Sequence, residues 1–512
     1  MAKFSHWSNA KLAAQCVFPR LDVEQYRSDD AYRTNINDLV HIGCGGFCIF
    51  NGSVESVKQT TDELQMFAET PLLFCSDFEN GLQMRLEDGT SFPHSMALQY
   101  AETYTKQVAQ AIAKEAKDIG VYWNLAPVCD INSNPKNPVI NIRSFGENKD
   151  IVSKHIRQYI DGTQAECVVG CAKHFPGHGD TATDSHTSFP VLLKMVEELE
   201  ESDIVPFVAA IEQGVKSIML GHLVVPSLDE RLPMSLSPSA VSYVRNRLNY
   251  NGVILTDGLD MHSITDAYSS SEIAEMAIKA GNDVLLIPPE PMDVIATLER
   301  LLAADEDLVK QVVFSVERIY KLKQFAKLIP QFAKPSAKVK LFSEHLQLAL
   351  RVAVAATRAE GKGIAGATAG MLPDDEPYAA FSIVQKSDDI QAASRFFTML
   401  AGATENDCNY AYLDENISDD ELSDMVSGVA DATFVIFALF YRGRGYSQSL
   451  ASAEQINRII ARLSDGREAI VIFFGDPYIS NEIATNTKIL TYSDSFASLA
   501  AAVMQLTGRK LE

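Results

Sequence analysis

The chain has 512 residues, of which 46% are hydrophobic and 22% charged, a composition typical of folded globular proteins. This length exceeds what one hydrophobic core usually supports, so we expect two domains. The formal net charge of −23 disfavours general binding to nucleic acids or anionic membranes, because both would repel an acidic protein. We therefore expect neither as a partner.

The N-terminal sequence and the cysteines bear on location. MAKFSHWSNAKLAAQ has no uninterrupted apolar run of signal-peptide length, and no segment is long and apolar enough to span a bilayer. Cys44 and Cys48, like Cys167 and Cys171, have spacings found in metal-ligand pairs, but both pairs lie in apolar runs typical of strands. We favour buried structural thiols over metal ligands. Reduced thiols without a signal predict a cytoplasmic protein.

Short apolar segments alternate with stretches of helical spacing through the first 300 or so residues. Continuous apolar runs are typical of parallel strands covered on both faces. The alternation predicts an α/β fold whose first domain, residues 1–335, is a (β/α)8 TIM-like barrel with its eighth strand unidentified. The expected strands are 39–47, 71–79, 120–128, 167–175, 215–223, 251–259 and 282–288.

Polar residues follow these segments at equivalent positions. In a barrel, the C-terminal ends of the strands converge on one mouth, where active sites lie. One polar residue at a strand end is usually a cap or a loop contact, whereas several at equivalent ends predict a site. The residues at these ends are Asp77, Asp130, Lys173, His174, His222 and Asp257.

The C-terminal part has a different pattern. Residues 305–359 have helical spacing that is broken around IPQFAKPSAK, and we expect a helical and glycine-rich linker over 336–370. The runs FSIVQ, TFVIFALF and AIVIFFGDPY, with intervening helices, predict a smaller α/β sandwich with a partly parallel sheet over 371–512. RGRGYS (442–447) lacks the third glycine of a dinucleotide motif, so we expect no cofactor there.

The segment KHFPGHGDTATDSH (173–186) concentrates histidines, carboxylates and a lysine in a loop, because its proline and glycines exclude a regular helix. It is compatible with a solvated polar loop, a metal site or an acid–base pair. Zinc binding by His174 and His178 requires a helical spacing that this loop cannot supply. Asp184 and His186 can meet side by side on an extended loop, where the carboxylate would orient the ring and raise its basicity.

The second candidate is ILTDGLDM, in which Asp257 ends an apolar strand and Gly258 leaves room for a ligand. Asp260 is expected in the first turn of the next helix, and both carboxylates have a plain alternative as helix caps. Together with the histidine loop, Asp257 supplies a carboxylate nucleophile opposite an acid–base group, as retaining glycosidases require.

These motifs resemble glycoside hydrolase family 3, and in particular its β-N-acetylglucosaminidase branch, which carries a D-x-H pair on the barrel loop. SDFENGLQMR (76–85) and INIRSFGENKD (140–150) are similar to two further motifs of that branch, and FGDPY to second domains of the family. The resemblance covers most of the chain and is more specific in the barrel than beyond it.

The resemblance implies a retaining exo-β-N-acetylglucosaminidase that acts by double displacement on a small amino-sugar substrate, an oligosaccharide or a muropeptide. Asp257 would attack the anomeric carbon, and His186 would be the acid/base with Asp184 as its partner. Neither a metal nor another cofactor is implied. The residues that would hold the sugar hydroxyls are Asp77, Arg85, Arg143, Lys173 and His174.

Two departures and two alternatives stand beside this prediction. Asn80 and Leu82 occupy positions where the family usually has glycine and arginine, which affects the expected leaving-group side of the pocket. A histidine acid/base becomes neutral after giving up its proton, so phosphate could replace water and the enzyme would be a phosphorylase. A non-catalytic amino-sugar-binding protein is the alternative outside enzymes.

Overall fold

The structure of the protein, a computed structural model, describes residues 4–181, 189–329, 343–361, 370–372, 377–384, 387–404, 409–441 and 452–510. The chain forms two compact units. The first comprises residues 1–90 and 103–342, and the second comprises 91–102 and 343–512. A short stretch of the N-terminal half therefore belongs to the second unit.

The helices in chain order are α1 (Asn9–Gln15), α2 (Val23–Ser28), α3 (Asp30–Ile42), α4 (Val54–Phe67), α5 (Ser95–Leu98), α6 (Thr105–Asp118), α7 (Lys149–Ala165), α8 (Val196–Glu201), α9 (Val205–Glu212), α10 (Pro238–Ser242), α11 (His262–Thr265), α12 (Ser270–Ala280), α13 (Pro291–Ala304), α14 (Glu306–Phe325), α15 (Ser343–Ala356), α16 (Ser387–Ala403), α17 (Asp419–Gly428), α18 (Ala453–Ser464) and α19 (Phe496–Thr507). Within the part of the chain that the structure describes, none of them has the length and apolar character needed to cross a bilayer.

The strands of the first unit are β1 (Val17–Phe18), β2 (Arg20–Asp22), β3 (Cys48–Asn51), β4 (Phe74–Ser76), β5 (Val121–Asn124), β6 (Val169–Phe175), β7 (Ser217–Leu220), β8 (Val253–Thr256) and β9 (Leu285–Leu286). Those of the second unit are β10 (Arg358–Gly361), β11 (Tyr378–Val384), β12 (Asn409–Asp414), β13 (Phe434–Tyr441), β14 (Glu468–Gly475) and β15 (Thr487–Leu490).

The first unit is a parallel barrel. Strands β2 to β8 pair in chain order, β1 pairs with β9, and a bridge between Leu255 and Val284 links β8 to the approach of β9. Only Pro19 separates β1 from β2. Proline has no N–H to donate to a ladder, which splits this strand into two short pieces. Counted as one strand, β1 and β2 close an eight-stranded barrel, which confirms the predicted fold class.

One predicted strand was wrong, and its correction identifies the eighth. Residues 39–47 do not form a strand, because their first four residues are the last turn of α3. That helix ends at Gly43, whose φ of 89° is the left-handed conformation that favours glycine at a helix C-terminus. The strand begins only at Cys48. The unidentified strand is the N-terminal stretch 17–22.

The second unit has a six-stranded sheet in the order β10-β15-β14-β13-β11-β12. Five strands are parallel, and β10 runs antiparallel to β15. The partly parallel sheet is the one that the sequence predicts for this region. Its described core packs apolar residues of α16 and α19 against β13 and β14. RGRGYS lies outside the described residues.

The cysteines of the described residues are free thiols, and all but Cys167 are buried. Cys48 of β3 lies opposite Cys75 of β4 in the register of the sheet. Cys44 lies in the turn before β3 rather than in a strand. No group of three or more His, Cys, Asp or Glu side chains in the described ranges is arranged to hold a metal ion.

Candidate active site at the barrel mouth

The predicted polar residues do lie at the C-terminal ends of the strands. Lys173 and His174 lie near the C-terminal end of β6. Asp77 directly follows β4, and Asp257 directly follows β8. His222 lies two residues beyond β7, and Asp130 follows β5 in its loop.

Lys173 is the centre of a network of charges. Its side chain is 2% exposed, and its Nζ lies 2.7 Å from Oδ1 of Asp77 and 2.8 Å from Oε1 of Glu79. The other oxygen of Asp77 accepts a hydrogen bond from Nη2 of Arg85 at 2.7 Å. Arg143 holds Glu79 with two hydrogen bonds, from Nε at 3.0 Å and from Nη2 at 2.8 Å. Three cations and two anions thus share one hydrogen-bonded cluster.

The cluster fixes the charge of its members. Burial alone would raise the pKa of Asp77, but Lys173 and Arg85 more than offset this and lower it to about 2. Burial is likewise outweighed at Glu79, where Arg143 and Lys173 hold the pKa well below its usual range. Burial would lower the pKa of Lys173, yet Asp77 and Glu79 raise it overall. All of these groups are therefore charged near neutral pH.

Hydrogen bonds with the side chains of Tyr159 and Asn124 hold the loop after β4 in place. The hydroxyl of Tyr159 donates toward the backbone carbonyls of Phe78 and Glu79 at 3.2 and 3.0 Å, and the side chain of Asn124 accepts from the amide of Phe78 at 3.0 Å. Leu82, one of the two departures from the family pattern, is 1% exposed. Its side chain is apolar and cannot form the hydrogen bonds or ion pairs of an arginine.

Asp130 organises the start of the histidine loop. It is fully buried, and its Oδ2 lies 2.8 Å from Nδ1 of His174. Its Oδ1 accepts from the backbone N–H groups of His174 and His178 at 3.2 and 2.8 Å. Since a carboxylate only accepts hydrogen bonds, Nδ1 of His174 must carry a hydrogen.

His178 is buried and uncharged near neutral pH. Its Nδ1 lies 2.8 Å from the hydroxyl of Thr181, and its Nε2 is buried without a hydrogen-bond partner among the described residues. Burial lowers the pKa of His178 to about 4. Asn137 donates to the carbonyl of His178 at 2.8 Å, so this part of the loop is anchored through both backbone and side chain.

Asp257 directly follows β8 and remains partly exposed. Its Oδ1 accepts from the backbone N–H of Gly258 at 2.8 Å, and its own N–H donates to the carbonyl of Leu220 at 3.0 Å. Burial opposes ionisation of this carboxyl, but His174 and the Gly258 N–H outweigh it and lower the pKa of Asp257. A carboxylate that is ionised, fixed and accessible is suited to nucleophilic attack.

His222 supports the peptide that follows Asp257. Its Nε2 lies 2.8 Å from the carbonyl of Gly258, which only accepts, so Nε2 carries the hydrogen. Its Nδ1 lies 2.6 Å from the hydroxyl of Ser235. Burial lowers the pKa of His222, in agreement with a neutral ring. Asp260 is not in a helix, contrary to expectation: it precedes α11, and its Oδ2 lies 3.5 Å from Arg20.

The structure thus joins Asp77, Arg85, Arg143 and Lys173 in one network and brings His174 into electrostatic range of Asp257. Asp184 and His186 lie outside the described residues. Sequence reasoning did not assign a site role to Glu79, although it lies within the SDFENGLQMR motif. It singled out Asp130 only as a residue at a strand end.

A parallel barrel whose mouth gathers ionised carboxylates, cations and histidines defines the class of barrel enzymes. The family model described as "Glycosyl hydrolase family 3 N terminal domain" matches residues 20–322, more than half of the chain. The chain belongs to glycosyl hydrolase family 3.

Two named relatives and one solved structure are similar to this chain. Beta-hexosaminidase A of Pseudoalteromonas piscicida is 35% identical over 272 residues, covering 48% of this chain and 46% of that protein. The beta-N-acetylglucosaminidase/beta-glucosidase of Cellulomonas fimi is 30% identical over 274 residues, covering 51% and 48%. The chain spans about half the length of these two relatives. A solved glycoside hydrolase family 3 beta-N-acetylglucosaminidase from Paenibacillus sp. str. FPU-7 is 26% identical, with a TM-score of 0.84 over 98% of this chain and 97% of that chain.

Proposed function

We propose that this protein is a retaining exo-β-N-acetylglucosaminidase that releases terminal β-linked N-acetylglucosamine. The observation that carries the proposal is Asp257, an ionised and accessible carboxylate at the barrel mouth beside a fixed cluster of charges. The names of the relatives and the family support the choice of sugar. The solved beta-N-acetylglucosaminidase from Paenibacillus is similar to this protein over nearly the whole chain.

The charged network is suited to holding a sugar. We assign contacts with the sugar hydroxyls to Asp77, Arg85, Arg143, Lys173 and His174. A hydroxyl both donates and accepts, and hydrogen bonds to charged groups are stronger than those between neutral groups. Because the side chains of the network are already paired, they are in position before the substrate arrives, which reduces the cost of ordering them on binding.

In the proposed reaction, Asp257 attacks the anomeric carbon while His186 protonates the leaving oxygen, and a glycosyl-enzyme forms. Asp184 orients His186 and stabilises its protonated form. In the second step, His186 takes a proton from water, which attacks the same carbon and restores Asp257 with retention of configuration. Phosphate in place of water would give a sugar 1-phosphate, and this phosphorylase is the second outcome that the assay distinguishes.

The test is turnover of an aryl β-N-acetylglucosaminide. Asp257→Ala should lower kcat by about 10⁴-fold or more, the range seen when a nucleophile is removed. Asp293→Ala, an exposed carboxylate in the first turn of α13, is the matched control and should retain activity. Full activity of Asp257→Ala would contradict the assignment. His186→Ala should impair substrates with poor leaving groups far more than activated ones, and equal losses would count against its role as the acid.

Three further measurements separate the alternatives. The anomer of the first product, followed by NMR with and without phosphate, distinguishes hydrolysis from phosphorolysis and tests retention. A chelator should leave activity unchanged, whereas a metal-dependent hydrolase would lose it. Binding of N-acetylglucosamine with no turnover would favour the non-catalytic alternative.

We extend the proposal to substrate and location. Muropeptides and chitin-derived oligosaccharides both present terminal N-acetylglucosamine, and initial rates on the two classes decide between them. We also propose a cytoplasmic location, in line with the free thiols among the described cysteines. Fractionation of cells producing the full-length protein tests this, and recovery outside the cytoplasm would contradict it.

A further inference from the structure

Asp130 lies behind the proposed sugar-binding residues and touches two histidines in different ways. Its Oδ2 faces a ring nitrogen of His174 at 2.8 Å, whereas His178 offers it only a backbone N–H, at 2.8 Å from Oδ1. Asp130 therefore controls the ring of His174 and merely anchors the chain at His178.

The contact decides which nitrogen of His174 is free. The carboxylate requires a hydrogen on Nδ1, and the backbone N–H of His174 donates to the same carboxylate, so ring and backbone are held together. Nε2, on the other side of the ring, makes no hydrogen bond to any described residue. It is the atom of His174 left for the pocket, where 6% of the residue is exposed.

The charge of Asp130 also needs a partner. A fully buried carboxylate is costly unless it is paired or neutralised. His178 cannot supply that charge near neutral pH, because burial lowers its pKa to about 4. His174 is the titratable group with a ring nitrogen on Asp130, and Arg143 lies within electrostatic range of the carboxylate. The ring of His174 is therefore the side-chain partner that Asp130 holds directly.

His174 in turn acts on the nucleophile. Its electrostatic effect favours the ionised form of Asp257 and lowers the pKa of that carboxyl. Among the described residues, the titratable groups that act on Asp257 are His174, Lys173 and Cys171 from β6, His222 after β7, and Asp260 on its own loop.

We infer that Asp130 is a positioning residue that holds His174 with Nδ1 protonated and Nε2 toward the sugar, and thereby keeps this ring in place beside the nucleophile. The inference deepens the proposed function and rests on it for its kinetic part. The tautomer of His174 is testable without any turnover.

The kinetic test is Asp130→Asn in the full-length protein. We expect kcat/KM to fall by about 10- to 100-fold, the loss seen when the carboxylate partner of a metal-bound histidine is removed. An amide no longer holds the ring of His174 as the carboxylate does, so the electrostatic support that Asp257 receives from this ring is weakened. Protonation of Asp257 should then occur at higher pH, and the acid limb of kcat/KM should move upward. His174→Gln should move that limb in the same direction.

The double variant tests whether Asp130 acts through His174. Adding Asp130→Asn to His174→Gln should cause little further loss, whereas a full additional loss would overturn the inference. An unshifted acid limb in both single variants would also overturn it. Asp283→Asn is the matched control, because Asp283 is fully buried and paired with Arg245 and Arg318 away from Asp257. Asp283→Asn should destabilise the fold and leave the acid limb of kcat/KM at its original pH.

NMR of isotope-labelled histidine provides the readout that does not need activity. The His174 signals, assigned by their loss in His174→Gln, should show a hydrogen on Nδ1, and Asp130→Asn should alter the distribution of hydrogen between the two ring nitrogens. A ring without a hydrogen on Nδ1 in the unsubstituted protein would overturn the inference even with full activity. Absence of turnover together with the expected tautomer would instead refute the proposed function.

Discussion

His178 should make the first unit sensitive to mild acid. In the folded chain its pKa is lowered from the ordinary value of 6.5 to about 4, with burial as the main cause. Unfolding exposes the ring, which then takes up a proton at a higher pH than in the native state. Stability from this residue is therefore complete above about pH 6.5 and is lost as the pH falls toward about 4.

The magnitude follows from the shift. A change of one pKa unit corresponds to about 1.4 kcal/mol, so a shift of this size contributes about 3 kcal/mol across that pH window. The side chain is 2% exposed, and solvent screening reduces this only slightly. His178→Asn removes the titration while its amide nitrogen can replace Nδ1 in the contact with Thr181.

The assay is urea unfolding followed by tryptophan fluorescence between about pH 7 and 4. Both tryptophans, Trp7 and Trp123, belong to the first unit, so the signal reports on the unit that contains His178. The free energy of unfolding should fall by about 3 kcal/mol more in the unsubstituted protein than in His178→Asn over this range. His41→Asn, at an exposed position of α3, is the control and should follow the unsubstituted protein. Equal pH dependence in all three proteins would refute a neutral buried His178.

Two substitutions test the packing of the mouth. Glu79→Gln leaves Arg143 without its buried anion, so we expect a loss of about 3 kcal/mol in unfolding free energy and a higher KM. The control is Glu212→Gln at an exposed ion pair, which should lower the unfolding free energy by less than about 1 kcal/mol. Equal costs for the two glutamates would contradict the structural importance of the network. Gly179→Ala places a Cβ 1.6 Å from a backbone carbonyl oxygen and should cost about 3 kcal/mol or more in a melting experiment. Gly402→Ala, in α16 with open space around it, should be neutral or stabilising, and a harmless Gly179→Ala would contradict the described approach of the two chain segments.

The barrel was predictable because most of its strands are short apolar runs. The first strand escaped detection because VFPRLD, residues 17–22, contains a proline and two charged residues, and its ladder is interrupted at Pro19. The opposite error arose at 39–47, where the apolar end of an amphipathic helix resembles a strand. Gly43 was the available signal, since glycine is typical of the position after a helix C-terminus.

The pairing inside the site was less accessible to sequence reasoning. Asp77 and Lys173 are 96 residues apart in the chain, and Glu79 and Arg143 are 64 apart. Position at a strand end predicts that such residues converge, but it does not tell which carboxylate meets which cation. The separate tasks of His174 and His178 were equally hidden, because they depend on which of their atoms faces Asp130.

The charges of the mouth explain why so many carboxylates can lie near a nucleophile that must be ionised. Asp77, Glu79 and Asp130 would by themselves raise the pKa of Asp257 by repulsion. Each instead holds a cationic or protonatable group: Asp77 and Glu79 share Lys173, and Asp130 holds the ring of His174. Lys173 and His174 both favour the ionised form of Asp257. These other carboxylates therefore assist the nucleophile, because they fix the groups that favour its ionised form.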